Sequence, residues 1–331
     1  MNDQTKEIIG RYFPVLDSGF ISLVDIMGSD ESIERAARVS YGVGTRKTSE
    51  TRGLLRYLIR QKHTSPLEQL CLTFHVGLPV FIARQWIRHR TFSFNEYSGR
   101  YSVMPTIFYT PDHKNLTTQA TNNKQGRSDN LLNEETYQEI QRRLNSQREQ
   151  AVDNYKYMLD NDVARELARI DLPLSMYTYW YCTVDLHNLF HFLKLRCDSH
   201  AQWEIRAYAN LMAGMAKRVA PHAFEGWLDY VHLSSNFTRL DKKFNIHLME
   251  YARNYSFNRA EWGSRIRPTY DDIRNAYSKA DDDYHTEIGM SSRELDEFWQ
   301  KMKEPEVPNF DLDLSVSKDG SYFEEIINNA S

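Results

Sequence analysis

QLCLTFHVGLPVFIARQWIRHRTFSFNEYSGRY, residues 69–101, changes its hydrophobic period once, and that change sets the local architecture. Leu70, Leu72, Phe74 and Val76 alternate with other residues, the pattern of a strand with one buried face. Pro79 then suits the first turn of a helix, where its missing N–H costs nothing. In VFIARQWIRHR, Val80, Ala83 and Ile87 share one side, and Arg84, Gln85 and Arg88 lie elsewhere. A strand therefore feeds a helix whose last turn delivers Arg88, His89 and Arg90. RHRTFSFNEYSGRY (88–101) continues into a loop with Ser93, Asn95, Glu96, Ser98, Gly99, Arg100 and Tyr101. Guanidinium groups bind phosphates through paired, charge-assisted hydrogen bonds. Arginines this dense, on a chain of net charge −4, point to an anionic small molecule.

Upstream, FISLVDIMG (20–28) alternates as a half-buried strand, and Ser29 or Asp30 can cap a helix through ESIERAARVSYG (31–42). A second helix is expected over 49–61, with Leu54, Leu55, Leu58 and Ile59 as its apolar stripe. Downstream, residues 111–130 are polar and rich in turn formers, which predicts a mobile surface loop. A long polar helix is predicted over 133–160, and a short one, VARELARI, with Asp162 as its cap. PLSMYTYWYCTV (173–184) reads as a strand. Helices follow over 185–197 and 199–218, with Ser199 as N-cap of the second, and Pro221 opens another. Helices and strands mix without a βαβ rhythm, which predicts an α+β fold with a central, mostly antiparallel sheet. Beyond residue 230 the apolar stretches shorten. Helices are expected over 240–254 and 292–303, and the end reads as extended or disordered. The chain thus divides into 1–230 and an extension, 231–331, of unknown role.

With 331 residues, 41% hydrophobic and 26% charged, the chain can bury a sizeable core. No run of about 18 apolar residues predicts a membrane span, and the acidic balance argues against general nucleic-acid binding. The opening MNDQTKEIIGRYF lacks a signal-peptide layout. Cys71, Cys182 and Cys197 are widely spaced and sit among apolar neighbours, so free thiols in a reducing cytoplasm are expected.

RHRTFSFNEYSGRY resembles the signature of the flavin-dependent thymidylate synthases: RHR, a short spacer, then S-x-N-E-x-S-x-R-Y. ERAARVSYG (34–42), HTSPLEQ (63–69), ARIDLP (168–173) and LRCDSHAQWEIR (195–206) resemble four further segments of that family, in the same order. The resemblance covers roughly residues 18–230. It implies reductive methylation of dUMP to dTMP, with 5,10-methylenetetrahydrofolate giving the carbon and NADPH reducing a bound FAD. It also implies a homotetramer with sites shared between subunits.

By the same resemblance, Gln85, Arg88, Glu96, Ser98, Gly99, Arg100, Arg169 and Arg196 are the dUMP-binding candidates. Arg196 is the catalytic one, an electrostatic stabiliser of N3-deprotonated uracil that keeps its own proton. Ser65, Arg88, His89, Arg90, Glu96, Asp185, His187 and His191 are assigned to FAD, and His63 to folate or NADPH. At 185 and 187 the chain departs from the family's Asn and Arg. No Gly-rich phosphate turn is present, so side-chain cations take its place. No cysteine has a nucleophile's setting, Cys197 beside Arg196 being the nearest to one, and no His–Asp pair is evident to activate Ser98. His187, His191 and His200 lack HExxH, and no metal site is expected. Two alternatives remain at this level: a related flavin enzyme that modifies a pyrimidine nucleotide differently, and a non-catalytic flavin- or nucleotide-binding protein.

Overall fold

The computed structural model describes residues 2–40, 50–121, 126–257, 270–279, 283–303 and 305–328. The chain opens with α1 (Asp3–Lys6), then β1 (Tyr12–Val15) and β2 (Gly19–Met27), then α2 (Asp30–Arg38) and α3 (Thr51–Arg60). Next come β3 (Cys71–Pro79), α4 (Val80–Trp86), β4 (Ser93–Glu96), β5 (Thr117–Gln119) and β6 (Arg127–Leu131). Then follow α5 (Glu134–Asp160), α6 (Arg165–Ala168), β7 (Tyr177–Asp185), α7 (Leu186–Arg196), α8 (Trp203–Val219) and α9 (Pro221–Trp227). The main sheet has the order β1-β2-β3-β7-β4, with every neighbouring pair antiparallel. The fold is α+β.

The period-2 pattern works as physics requires. Leu70, Leu72, Phe74, Val76 and Leu78 are all fully buried and join Trp180, Cys182 and Val184 of β7 in the main core. On the opposite face of β3, His75 and Gly77 meet an aromatic layer of Tyr12, Phe20, Tyr177 and Tyr179. There His75, only 4% exposed, hydrogen-bonds Tyr12 Oη through Nδ1 at 3.0 Å and stacks on Tyr181 at 4.5 Å.

Four local expectations are corrected. Residues 111–130 are not simply a loop: β5 and β6 form a hairpin, whose Arg127 donates to both carboxylate oxygens of buried Glu204 at 2.7 and 2.5 Å. Polar composition hides such a tie, because the partner lies on another helix. (Residues 122–125, and Tyr41 and Gly42 of the earlier helix, lie outside the described residues.) Asp162 is not a helix cap; it adopts φ 59° in the turn after α5, a conformation Asp tolerates. Ser199 does not cap α8. Gln202 takes that position, and the Ser199 carbonyl instead accepts from Arg206 at 2.6 Å.

The fourth correction concerns the end of the chain. Residues Leu233–Pro308 form a compact unit of their own, while Asn309–Ser331 belongs with Met1–His232. The single boundary expected at 230 is therefore two boundaries. The inserted unit holds α10 (Arg239–Phe257), α11 (Tyr270–Lys279), α12 (Tyr284–Glu287) and α13 (Ser292–Lys301). Phe244, Leu248, Tyr277, Met290, Phe298 and Trp299 make its core. Ser291 and Glu294 close a capping box on α13. Buried Asp241 pairs with Lys301 at 2.7 Å.

The tail, read as extended or disordered, packs tightly. Phe310 and Leu312 are 4% and 8% exposed within the main core. Gly214 of α8 makes room for them: a Cβ there would lie 2.6 Å from the Phe310 carbonyl oxygen and 2.7 Å from Leu312 Cδ2. Lys318 exchanges two backbone hydrogen bonds with Tyr12, and α14 (Tyr322–Asn328) lays Phe323 on the aromatic layer, 4.6 Å from His75. The apolar residues of the tail are too scattered to make a local pattern; their partners are far away in sequence.

Phe310→Ala should therefore cost about 3–5 kcal/mol, read from urea unfolding; a loss below about 1 kcal/mol would mean the tail is not part of the core. Burial lowers the pKa of His75 to about 4, below the usual 6.5. Between those values the unfolded chain binds a proton that the folded chain refuses, so stability falls as pH drops from about 6.5 to 4. The slope from this histidine is at most about 1.4 kcal/mol per pH unit. Urea midpoints should decline through that window, and less so in His75→Gln.

Candidate active site

The site grows from the meeting of two helix ends. Trp86, fully buried at the end of α4, stacks on Phe192 of α7 at 4.9 Å and meets Trp180 of β7 edge-on at 5.6 Å. This wedge fixes where the backbone leaves α4, and the His89 amide donates back to the Trp86 carbonyl at 2.9 Å. Arg88 and Arg90 project into solvent, and neither meets a carboxylate among the described residues. Gln85 is half-buried, with Oε1 enclosed and lacking a hydrogen-bond partner.

His89 has a different part from the cationic one its sequence context suggests. Its ring packs edge-on against Phe192 at 4.9 Å, and its Nε2 accepts from Arg196 Nε at 3.0 Å. Burial, followed by the Arg196 charge and His191, holds its pKa down to about 4. At neutral pH it is an uncharged ring whose lone pair holds the guanidinium. Because Nε2 accepts, the ring hydrogen sits on Nδ1. Arg196 is half-buried and carries its charge without a carboxylate partner among the described residues. Burial lowers its pKa, yet a guanidinium stays protonated.

The second half of RHRTFSFNEYSGRY is partly a strand, not a loop. Ser93–Glu96 pairs with Thr183–Trp180 of β7. Phe92 and Phe94, two residues apart, stack at 5.7 Å and hold this short edge in place, while Ser93, Asn95 and Glu96 stay exposed. Glu96 Oε1 accepts from Thr178 Oγ1 at 2.7 Å. Ser98 Oγ accepts from the Arg100 amide at 3.3 Å.

Gly99 is needed for a close approach. A Cβ there would lie 2.6 Å from Met104 Sδ and 2.9 Å from Arg169 Cδ, so the Arg169 side chain passes directly over the signature backbone. The neighbouring α6 is tied to the same stretch: Arg165 donates to the Tyr101 carbonyl at 2.8 Å, and Arg100 Nε to Glu166 at 3.1 Å. Thus His89 and Arg196 form one pair, with Arg88 and Arg90 on either side of His89 in the chain, and Arg169 and Arg100 meet the same signature segment at its other end.

The remaining candidates lie at the start of α7. Asp185 caps this helix, accepting the Asn188 amide at 2.9 Å and the Asn188 side-chain amide at 2.6 Å. Both carboxylate oxygens are thereby occupied, which tempers the repulsion an aspartate would exert on a nearby phosphate. The Leu186 amide donates to the Leu70 carbonyl at 2.7 Å, so the HTSPLEQ segment abuts this end. His63 and Ser65 line a cleft of about 990 Å³ with Arg35, Tyr57 and Gln69. The eleven residues of α7 span about 16 Å, separating this end from Arg196. His187 is half-buried and His191 exposed on the helix between; the His191 ring lies 6.5 Å from His89. His200 Nδ1 lies 2.9 Å from Asp198. Among the described residues no three His, Cys, Asp or Glu side chains gather as a metal set.

Sequence reasoning missed Thr178 and Glu166. Thr178 had a signal: it shares a strand face with Trp180, Cys182 and Val184, and a hydroxyl among core-facing positions requires a partner. Glu166 had none, since its partner lies 66 residues away.

Comparison with known proteins agrees with this geometry. Residues 22–222 match the family model described as thymidylate synthase complementing protein. The flavin-dependent thymidylate synthase of Treponema denticola is 54% identical over 213 residues, spanning 64% of this chain and 80% of that one. That of Treponema pallidum is 48% identical over 221 residues, spanning 67% and 72%. Among solved structures, the UMP/dUMP methylase PolB from Streptomyces cacaoi, bound with 5-Br UMP, superposes with a TM-score of 0.59 at 34% identity, covering 66% of this chain and 98% of that one. The matched span contains the arginine-rich signature, Arg169 and Arg196, and on these findings the chain belongs to the flavin-dependent thymidylate synthase family.

Proposed function

We propose that this chain carries out the reductive methylation of dUMP to dTMP, with FAD as cofactor, 5,10-methylenetetrahydrofolate as carbon donor and NADPH as reductant. The observation that carries the reading is Arg196, a half-buried cation held by the neutral His89 and uncompensated by any carboxylate among the described residues. A fixed charge of this kind, in a partly desolvated place, stabilises negative charge that develops during reaction. On uracil deprotonated at N3 that charge spreads over N3, O2 and O4, and the electron-richer ring lets N1 push electron density through C6 to C5, the carbon to be alkylated. Arg196 thereby favours the N3-deprotonated base without giving up a proton.

The residues present fit both anionic ligands. Arg169, crossing Gly99, and Arg100 suit the dUMP phosphate, with Arg100 exchanging Glu166 for it. The unmet Gln85 Oε1 suits an N–H of the base or a hydroxyl, and Ser98 and Glu96 add polar contacts. Arg88 and Arg90 are the cations for the FAD pyrophosphate. His89, His187, His191, Asp185 and Ser65 are assigned to the same cofactor, and His63 to folate or NADPH. Bound FAD, reduced by NADPH, would supply the hydride that turns the transferred one-carbon unit into a methyl group.

A route without a cysteine nucleophile is supported by the thiols. Burial pushes Cys182 and Cys197 well up, and burial plus the Asp185 charge raises Cys71. Thiols so held are poor nucleophiles at neutral pH. The three are free cysteines, which suits a reducing cytoplasm. No helix among the described residues is long and apolar enough to cross a membrane. A homotetramer with shared sites is supported by exposed apolar residues near Arg169: Tyr101, Leu167, Ile170 and Leu174 are 75%, 56%, 68% and 62% exposed. Such exposure suits burial against a second copy.

The test is tritium release from C5-labelled dUMP with FAD, NADPH and methylenetetrahydrofolate. Arg196→Ala should lower release roughly 10²–10³-fold, with little rescue by Arg196→Lys, whose ammonium has a different shape. His89→Ala should cost up to about 100-fold through misplacement of the guanidinium. Undiminished release in Arg196→Ala would overturn the role given to it. Running UMP beside dUMP separates this reading from modification of a different pyrimidine nucleotide, and a wild-type chain that binds no FAD would defeat both.

A further inference from the structure

We propose that Thr178 is a positioning residue, holding the Glu96 carboxylate away from the arginines of the site so that they remain available to anionic ligands. The inference rests on the reading that this site takes dUMP. Thr178 is 1% exposed and lies on β7, in a strand face otherwise made of Trp180, Cys182 and Val184, all in the main core. Its Oγ1 donates to Glu96 Oε1 at 2.7 Å. Glu96 is itself placed by pairing with Trp180, two residues along β7 from Thr178. Both backbones are therefore fixed by the sheet, and only the carboxylate rotates.

Glu96 is the one carboxylate within the signature, which also carries Arg88, Arg90 and Arg100. A carboxylate this close in sequence to three guanidiniums pairs with those it can reach unless something competes. None of the three pairs with it among the described residues: Arg100 is engaged by Glu166, and Thr178 engages Glu96. A hydroxyl suits this task because it is a neutral donor. It fills one carboxylate oxygen without adding charge and leaves the other oxygen to accept from a hydroxyl or N–H of the nucleotide. A lysine or arginine in its place would cancel the carboxylate; a valine would leave it free to swing onto a guanidinium and neutralise a cation the phosphate needs.

The experiment uses the full chain loaded with FAD and titrates dUMP by calorimetry, alongside steady-state tritium release. Thr178→Val, nearly equal in volume, should raise the dUMP Kd and KM about tenfold with a smaller change in kcat. Its thermal midpoint should stay within about 2 °C of wild type. Thr178→Ser, which keeps the hydroxyl, should return binding to within about threefold. In a Glu96→Gln background, Thr178→Val should have no further effect on Kd, because an amide does not seek the arginines. Unchanged affinity in Thr178→Val, equal losses in the Ser and Val variants, or a full additional loss on the Glu96→Gln background would each overturn the proposal. A wild-type, FAD-loaded chain that binds no dUMP would instead overturn the underlying reading, and this proposal with it.

Discussion

The ladder between β3 and β7 governs the rest of the molecule. Nine residue pairs, from Cys71↔Asp185 to Pro79↔Tyr177, bind the two strands antiparallel along their full length. Each strand runs straight into a helix, β3 into α4 and β7 into α7. Because the strands are antiparallel, these helices leave from opposite ends of the ladder. They return over the same face and meet by their last turns, at Trp86 with Phe192 and His89 with Arg196. Register in a sheet with one buried face is strongly specified, so a slip of one residue would separate the two helix ends and dissolve the site.

That meeting also explains how so many cations are tolerated together. Helix C-termini carry partial negative charge and favour Lys, Arg and His⁺ nearby. Arg88 and Arg90 follow the end of α4, and Arg196 closes α7. Each dipole thus favours the guanidinium charge at its own helix end. The neutral His89 between them separates rather than adds charge. Glu166 and Thr178 complete the arrangement, one occupying an arginine by charge and the other occupying a carboxylate without it.

Much of this was legible in the sequence, and the reasons divide cleanly. The strand and helix around Pro79 could be read because their periods are local, and the signature residues because the resemblance fixes them in order. The strand at Ser93–Glu96 was hidden by its polar residues, although Phe92 and Phe94 carried its period. The tie between Arg127 and Glu204, like that between Arg100 and Glu166, joins residues with no sequence relation, and no pattern announces it. The tail was misjudged for the opposite reason: its composition resembles that of a disordered segment, yet Phe310, Leu312 and Phe323 find their partners in cores built from residues far upstream, on the other side of the insert.

The place of that tail bears on how the protein is made. The groove that Phe310 and Leu312 fill belongs to the unit ending at His232, and the whole of Leu233–Pro308 lies between. At about 5–20 residues per second, a ribosome needs about 4–15 s to cross that insert. During this interval Phe224, Trp227 and the small-residue notch at Gly214 lack their covering side chains. The core of that unit therefore cannot close until the insert has been synthesised. A chain cut short anywhere in the insert would carry a nearly complete active site on a body that still exposes the groove, a form well suited to capture by chaperones and proteases.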